Sequence, residues 1–264
     1  MTTSRKILWV RAFPEPHSLN GSLRSAGIDK LVGMDHQVVT SPLYEMGWNP
    51  VVTGDGIVPP GTRFNATTDS RQAYLEGRLP HDVSAEQEKI RAADAIVVQF
   101  PLWWYGLPAI LKGWIDRVFI SGFAFGKNPD TGKRLRFEQG PFRGKRVLVV
   151  MTLGDRERAI GPRGKSGELH ELLFGLLHGT FAYTGMDVID PVAFPSADFT
   201  DSQSYYLAEK RLGRRLSHLF DAEPIPYRPQ FQGDYTAEWD LEPDVRPNET
   251  GLSVHVMTTE ELGR

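Results

Sequence analysis

Six residues, Pro101-Leu-Trp-Trp-Tyr-Gly106, put two indoles and a phenol side by side next to a glycine. The rings offer planar walls, and Gly106 lets backbone N–H donors come close to a ligand. A flat aromatic ligand such as an isoalloxazine ring needs both; packing over a sheet edge is the competing use of the same side chains. His17-Ser18-Leu19-Asn20 opens a helical stretch, where free N–H groups and the helix dipole favour an anion such as a phosphate. The plainer use of Ser18 is as an N-cap. Thr152-Leu153-Gly154-Asp155 gives backbone access at Gly154 and leads into Arg156, Arg158, Arg163 and Lys165. The glycine is equally a turn residue, and the cations are equally a solvated loop face.

For these three segments to act together, a scaffold must bring them to one edge. The apolar runs Lys6–Val10, Ala95–Phe100 and Arg146–Thr152 read as buried strands, as do Gln37–Ser41 and Asp187–Val192. Helices are expected from Ser18 to about Leu31, from a Ser84/Gln87 capping box onward, and from Leu107 to Phe119 with Pro108 in its first turn. Two more should run from about Glu168 to Tyr183 and from Asp201 to Phe220. Residues 42–83 form a long connection, of the kind that carries function or structure of its own. Strands alternating with helices give an α/β protein: a flavodoxin-like, doubly wound, five-stranded parallel sheet in the order 2-1-3-4-5. The rival dinucleotide fold wants Gly-x-Gly-x-x-Gly after the first strand, and none follows it here. Ligands of such sheets bind beyond the carboxyl ends of the strands at the switch point, between strands one and three. All three segments fall there.

The chain has 264 residues and no cysteine, which removes disulfides, thiolate metal sites and a cysteine nucleophile together. No His/Asp/Glu group has convincing ligand spacing, so no metal is expected, and His170, His178 and His218 lie on helical stretches. No apolar run approaches the roughly 18 residues of a membrane span, and no secretory signal is legible, which points to the cytoplasm. No basic stripe interleaved with aromatics marks a nucleic-acid surface. Residues 221–264 hold ten acidic and three basic residues, a net charge of −7. Phe231, Tyr235, Trp239, Leu241, Leu252 and Val254 punctuate them, so two units are expected: a flavin-binding domain over 1–220, and an acidic extension over 221–264 packed on that domain or on a dimer partner.

The segment Gln99-Phe-Pro-Leu-Trp-Trp-Tyr-Gly-Leu-Pro-Ala-Ile-Leu-Lys-Gly-Trp-Ile-Asp-Arg-Val-Phe119 closely resembles the hallmark of the NAD(P)H:quinone oxidoreductases of DT-diaphorase type. Leu43–Pro50, Gly140–Lys145 and Gly251–Val254 resemble further segments, so the likeness covers most of the chain. It implies a homodimer that binds FAD non-covalently and passes hydride from NAD(P)H to a quinone by a ping-pong route through flavin N5. By position, His17, Ser18, Leu19 and Asn20 would hold the FAD phosphates and neighbouring atoms. Asn65 would lie at the dinucleotide, where the family has glutamine. Pro101, Leu102, Trp103, Trp104 and Tyr105 would border the flavin ring with Thr152, Leu153, Gly154 and Asp155. Trp104, Tyr105, Phe125 and Tyr183 would shape the nicotinamide and quinone pocket, and Trp104, Tyr105 and Gly154 would serve the chemistry.

The departures are specific. A tyrosine and a histidine that assist charge relay at the flavin in the family stand here as Ile160 and Ser166. Asp155 replaces a family glycine, Phe199 a pocket histidine, and Tyr205 an arginine near the adenine. Gly154 amides, helped by one cation of the Arg156–Lys165 loop, are the expected substitute for the relay. Two other functions share the resemblance: a flavin-binding regulatory subunit and a tailoring reductase for a polyaromatic metabolite.

Overall fold

The computed structural model describes residues 4–128 and 130–263. Five strands, β1 (Lys6–Arg11), β2 (Gln37–Pro42), β3 (Ala95–Pro101), β4 (Arg146–Thr152) and β5 (Asp187–Phe194), form one parallel sheet in the order β2-β1-β3-β4-β5. This is the flavodoxin-like order expected from the sequence. β1, β3 and β4 are buried and largely apolar along their length because both faces are covered, whereas β2, at the sheet margin, alternates exposed and half-buried residues. Ile7 and Trp9 of β1, Val97 of β3 and Leu148 and Val150 of β4 face α1 (Leu19–Val32) and α5 (Ser202–Ser217). Leu8, Val10, Ile96, Val98 and Val149 face the other way, onto α3 (His81–Ala92) and α4 (Ala109–Val118). Gly27 lets the Trp9 ring lie against α1, since a Cβ there would sit 2.5 Å from it.

The α4 side carries a buried polar anchor. Trp114 donates from Nε1 to Glu86 at 2.8 Å, and Lys89 pairs with the other carboxylate oxygen at 2.6 Å. The carboxylate is wholly buried, and these partners replace the water it lost.

The expected elements differ in two places. The Ser84/Gln87 capping box does not form. The helix begins four residues earlier, after Pro80, and the Ser84 hydroxyl donates to the His81 carbonyl. Gln87 is buried and donates to the Val118 carbonyl instead, because an amide taken from water has to find a partner. The helix expected over Glu168–Tyr183 is broken into turns at Leu169–Leu172 and Phe174–Leu176, a π-turn at Leu177–Phe181 and a 3-10 turn at Ala182–Thr184. Gly175 and Gly179 weaken it, and the Thr180 hydroxyl bonds the Gly175 carbonyl five residues back, at 3.0 Å. The long connection carries α2 (Ala66–Leu75), and a small hairpin pairs Gly126–Lys127 with Arg134–Leu135.

β5 is the last strand of the sheet. Its pairing with β4 slips between Leu148 and Val150, and the extra residue falls beside Pro191, which has no N–H to give. Asp190 in the bulge holds His170 and Arg215, each at 2.8 Å. Beyond α5 the chain returns along this strand, where Ile225 donates to the Val188 carbonyl at 2.8 Å. Farther on, Arg228 is nearly inaccessible and pairs with Asp234 and Glu261 at 2.9 and 2.6 Å. No helix of the described residues is long and apolar enough to cross a membrane.

Candidate active site

The carboxyl ends of β1, β3 and β4 are held in register by one buried chain of hydrogen bonds. Trp9 Nε1 donates to Gln99 Oε1 at 3.0 Å, Gln99 Nε2 donates to the Asn20 carbonyl at 2.8 Å, and Asn20 Nδ2 donates to Thr152 Oγ1 at 2.7 Å. The side chains of Asn20 and Thr152 thus bond each other inside the protein. Ser18 caps α1 by accepting from Gly21 N–H, as expected, and its own hydroxyl donates to the Glu15 carbonyl. His17 is exposed, with its amide on the Glu15 carboxylate at 2.7 Å. Leu19 packs on the sheet. The amides of Leu19 and Asn20 have no partner within the helix. They are the donors this end of α1 offers an anion.

Beyond β3, Trp103–Gly106 closes as a tight turn, with Gly106 N–H on the Trp103 carbonyl at 2.9 Å and the reverse bond at 3.2 Å. Trp104 and Tyr105 at its centre have φ of 52° and 54°. Positive φ at both central positions is the pattern of a type I′ turn, which Asn and Gly adopt readily and aromatic residues do not. Backbone strain of this kind costs of order 1–3 kcal/mol per residue and persists only where the surroundings impose it. Trp104 is 100% exposed, while Trp103 and Tyr105 are each 46% exposed. Pro101 is half-buried and Leu102 is core.

Across from this turn, Leu153 N–H bonds the Phe194 carbonyl, which leaves the amides of Gly154 and Asp155 without a protein partner among the described residues. Gly154 is exposed and its Cα faces the Asp198 carboxylate. The Tyr105 hydroxyl reaches Asp155 Oδ2 at 2.6 Å and Ser166 Oγ at 2.9 Å, and Ser166 Oγ donates to the same Asp155 oxygen at 2.7 Å. Hydrogen bonds from Tyr105 and then Ser166, with the nearby Lys165 charge, hold the Asp155 carboxyl below the usual carboxylate range. Ile160 is in the core, so the family's tyrosine position here serves packing alone. Ser166, by contrast, belongs to the site. The sequence reading saw in it only a lost histidine, whereas the signal was a tyrosine in the aromatic turn and an aspartate just after β4.

The other expected residues lie apart from this cluster. Asn65 caps α2, its side-chain oxygen accepting from Thr67 and Thr68 amides at 3.1 and 3.0 Å. Phe125 and Tyr183 pack on each other, with centroids 6.2 Å apart, and Phe137 closes on Tyr183 at 5.1 Å. Among the described residues neither ring touches Trp104 or Tyr105. Two open spaces flank the site. One, of about 740 Å³, runs along α1 past His17, Gly21, Ser22 and Tyr205. The other, of about 440 Å³, is largely apolar and lies between Tyr105, Leu107, Ile115, Leu176 and Thr180.

Phe137 also leads into a cluster built on His178, which stacks on Phe174 at 4.6 Å and meets Tyr227 and His255. His178 Nε2 is buried without a partner, and burial, helped by His255, pushes its pKa down to about 4. The unfolded imidazole binds a proton near its ordinary 6.5 and the folded one does so only near 4. Stability is therefore lost as pH falls between these values, by at most about 3 kcal/mol. His178→Phe removes both the orphaned nitrogen and this protonation. The substitution is expected to raise stability at pH 7 by about 1–2 kcal/mol and to flatten the acid limb between pH 6.5 and 4, as read by urea melts across pH. A variant less stable than the parent at pH 5 would show that the nitrogen has a partner.

A doubly wound sheet with free amides and an aromatic turn at its switch point defines a class, and the chain matches the family described as flavodoxin-like fold over residues 5–216. Within that class it belongs to the quinone reductase family, whose members include NAD(P)H and ribosyldihydronicotinamide dehydrogenases. It is 38% identical over 236 residues to a ribosyldihydronicotinamide dehydrogenase-like protein of Penicillium crustosum, covering 88% of this chain and 87% of that one. It is 30% identical over 259 residues to NAD(P)H dehydrogenase (quinone) 1 of Rattus norvegicus, covering 95% and 92%. A crystal structure of a candidate quinone reductase from Klebsiella pneumoniae superposes with a TM-score of 0.91 at 40% identity, covering 96% of this chain and 100% of that one. The family resemblance of the sequence is thereby confirmed.

Proposed function

We propose that the protein is an FAD-dependent NAD(P)H:quinone oxidoreductase of the cytoplasm that works as a homodimer by a ping-pong route. The observation that carries this reading is the convergence of three free features at one switch point: the Leu19 and Asn20 amides, the exposed Trp103–Tyr105 turn, and the unpartnered Gly154 and Asp155 amides. A diphosphate fits the first, a flat ring the second, and a ring edge rich in acceptor atoms the third. The space along α1 toward Tyr205 continues past the phosphate donors, which favours a dinucleotide over a mononucleotide.

A bound flavin would supply the hydride acceptor and donor that side chains lack. The chain's part is to bind and orient. The Gly154 and Asp155 amides donate where negative charge develops, and the Arg156–Lys165 loop adds positive potential beside them. The apolar space between Tyr105 and Leu176 keeps water from the face on which nicotinamide and quinone alternate. Phe125 and Tyr183, half-buried as a pair, would complete that pocket on the aromatic turn of a second copy, with the acidic 221–264 extension lying over the join.

Purified protein is expected to release FAD, identified by mass, and to oxidise NADH or NADPH with several quinones. Release of FMN alone overturns the dinucleotide assignment. Absence of flavin affinity, or tight flavin binding without turnover, overturns the enzyme reading; the second result is what a regulatory subunit would give.

A further inference from the structure

We propose that Tyr105, Asp155 and Ser166 form a latch that fixes the strained aromatic turn and thereby sets the place from which Trp104 stacks on a flat ring of the acceptor. The inference rests on the reading that this turn borders the ring site.

The argument begins with the backbone. Trp104 and Tyr105 both hold a left-handed φ, and neither residue type prefers it. The turn itself closes on only two backbone hydrogen bonds, Gly106 to Trp103 and back. Trp104 has no packing to hold it, because its side chain is 100% exposed. The restraint therefore comes from Tyr105, whose hydroxyl crosses to the loop after β4, donating to Asp155 Oδ2 at 2.6 Å and lying 2.9 Å from Ser166 Oγ. Ser166 closes the triangle on Asp155 at 2.7 Å. Ser196 N–H in turn bonds the Asp155 carbonyl at 2.8 Å, and Ser166 N–H bonds the Ala159 carbonyl at 3.0 Å, so both anchors stand on a fixed backbone. An ionised carboxylate shared by two hydroxyl donors is a strong tether.

A turn already fixed when the ring arrives spares the cost of ordering its backbone on binding. Asp155 and Ser166 act here through Tyr105 and are positioning residues. Ser166 thus does a different job from a base: it holds geometry, with no proton transfer required of it.

The test reads Trp104 directly. The full chain is labelled with 5-fluorotryptophan, with and without added FAD, and the Trp104 fluorine line is identified by its loss in Trp104→Phe. Tyr105→Phe and Ser166→Ala are expected to shift or broaden that line while the other tryptophan lines stay in place, which also shows that the fold is intact. Ser166→Thr, which keeps the hydroxyl, should restore it. In turnover, Tyr105→Phe should raise KM for a flat polycyclic quinone about tenfold, a larger change than its effect on kcat. An unchanged Trp104 line in Tyr105→Phe overturns the latch. A moved line with an unchanged KM overturns the positioning role. Because the fluorine readout exists without flavin, a protein that binds none would refute the functional reading and still report on the latch.

Discussion

Gln99→Leu is expected to lower the free energy of unfolding by about 2–4 kcal/mol, since it orphans a buried indole N–H and removes a second buried hydrogen bond. The leucine fills similar space but can neither accept from Trp9 Nε1 nor donate to the Asn20 carbonyl, and both residues are buried where α1 meets the sheet. Each unpartnered buried group costs about 1–3 kcal/mol. The loss should also weaken flavin binding at least tenfold, because the same chain seats the first turn of α1 on Thr152. Urea melts and flavin titration measure the two effects separately. A loss below about 1 kcal/mol would show that the network is replaceable and that α1 is seated by packing alone.

Gly21→Ala is expected to be of similar size for a steric reason. A Cβ at Gly21 would lie 1.8 Å from the Pro16 carbonyl oxygen, and that atom belongs to backbone and cannot swing aside. Either α1 or the Phe13–His17 loop must move, in the segment that carries the anion donors. A destabilisation of about 3 kcal/mol or more is expected, with the flavin Kd rising at least a hundredfold in whatever protein folds. Gly213→Ala in α5 is the matched control. Its Cβ meets nothing within 4 Å, so the substitution should stabilise the helix by about 0.4–1 kcal/mol. Equal behaviour of the two variants would mean that the close approach of Pro16 is not a constraint.

The sheet was legible because its signal is repeated along each strand. Continuous apolar runs such as Ala95–Phe100 state two-sided burial, and helices between them leave few orders to choose from. Single-residue chemistry was legible where one residue decides it, as in Ser18 capping α1. Where a residue had two uses the sequence could not choose. Ser84 and Gln87 have capping-box spacing, and only the buried Val118 carbonyl, 31 residues away, reveals that Gln87 is wanted elsewhere. The 168–184 stretch has helical periodicity, and its break depends on where Thr180 sends its hydroxyl. The site followed the same division. The three loops were legible from topology, while the Tyr105–Ser166 contact spans 61 residues and leaves no trace in spacing.

The end of the sheet at β5 has a consequence for how copies of this chain can associate. An open strand margin is a template: it will accept any extended segment, from the same protein or another, and grow. Here the template is spoiled on its own terms. Pro191 offers no donor, the bulge at Asp190 throws the ladder out of step, and Ile225 already occupies the Val188 carbonyl. No sixth strand can be added at this margin without first peeling away the return segment. Continuous sheets and exchanged strands are therefore closed to β5 as routes of self-association, and copies that meet on this side must do so through side chains, in a contact that can be specific and can come apart.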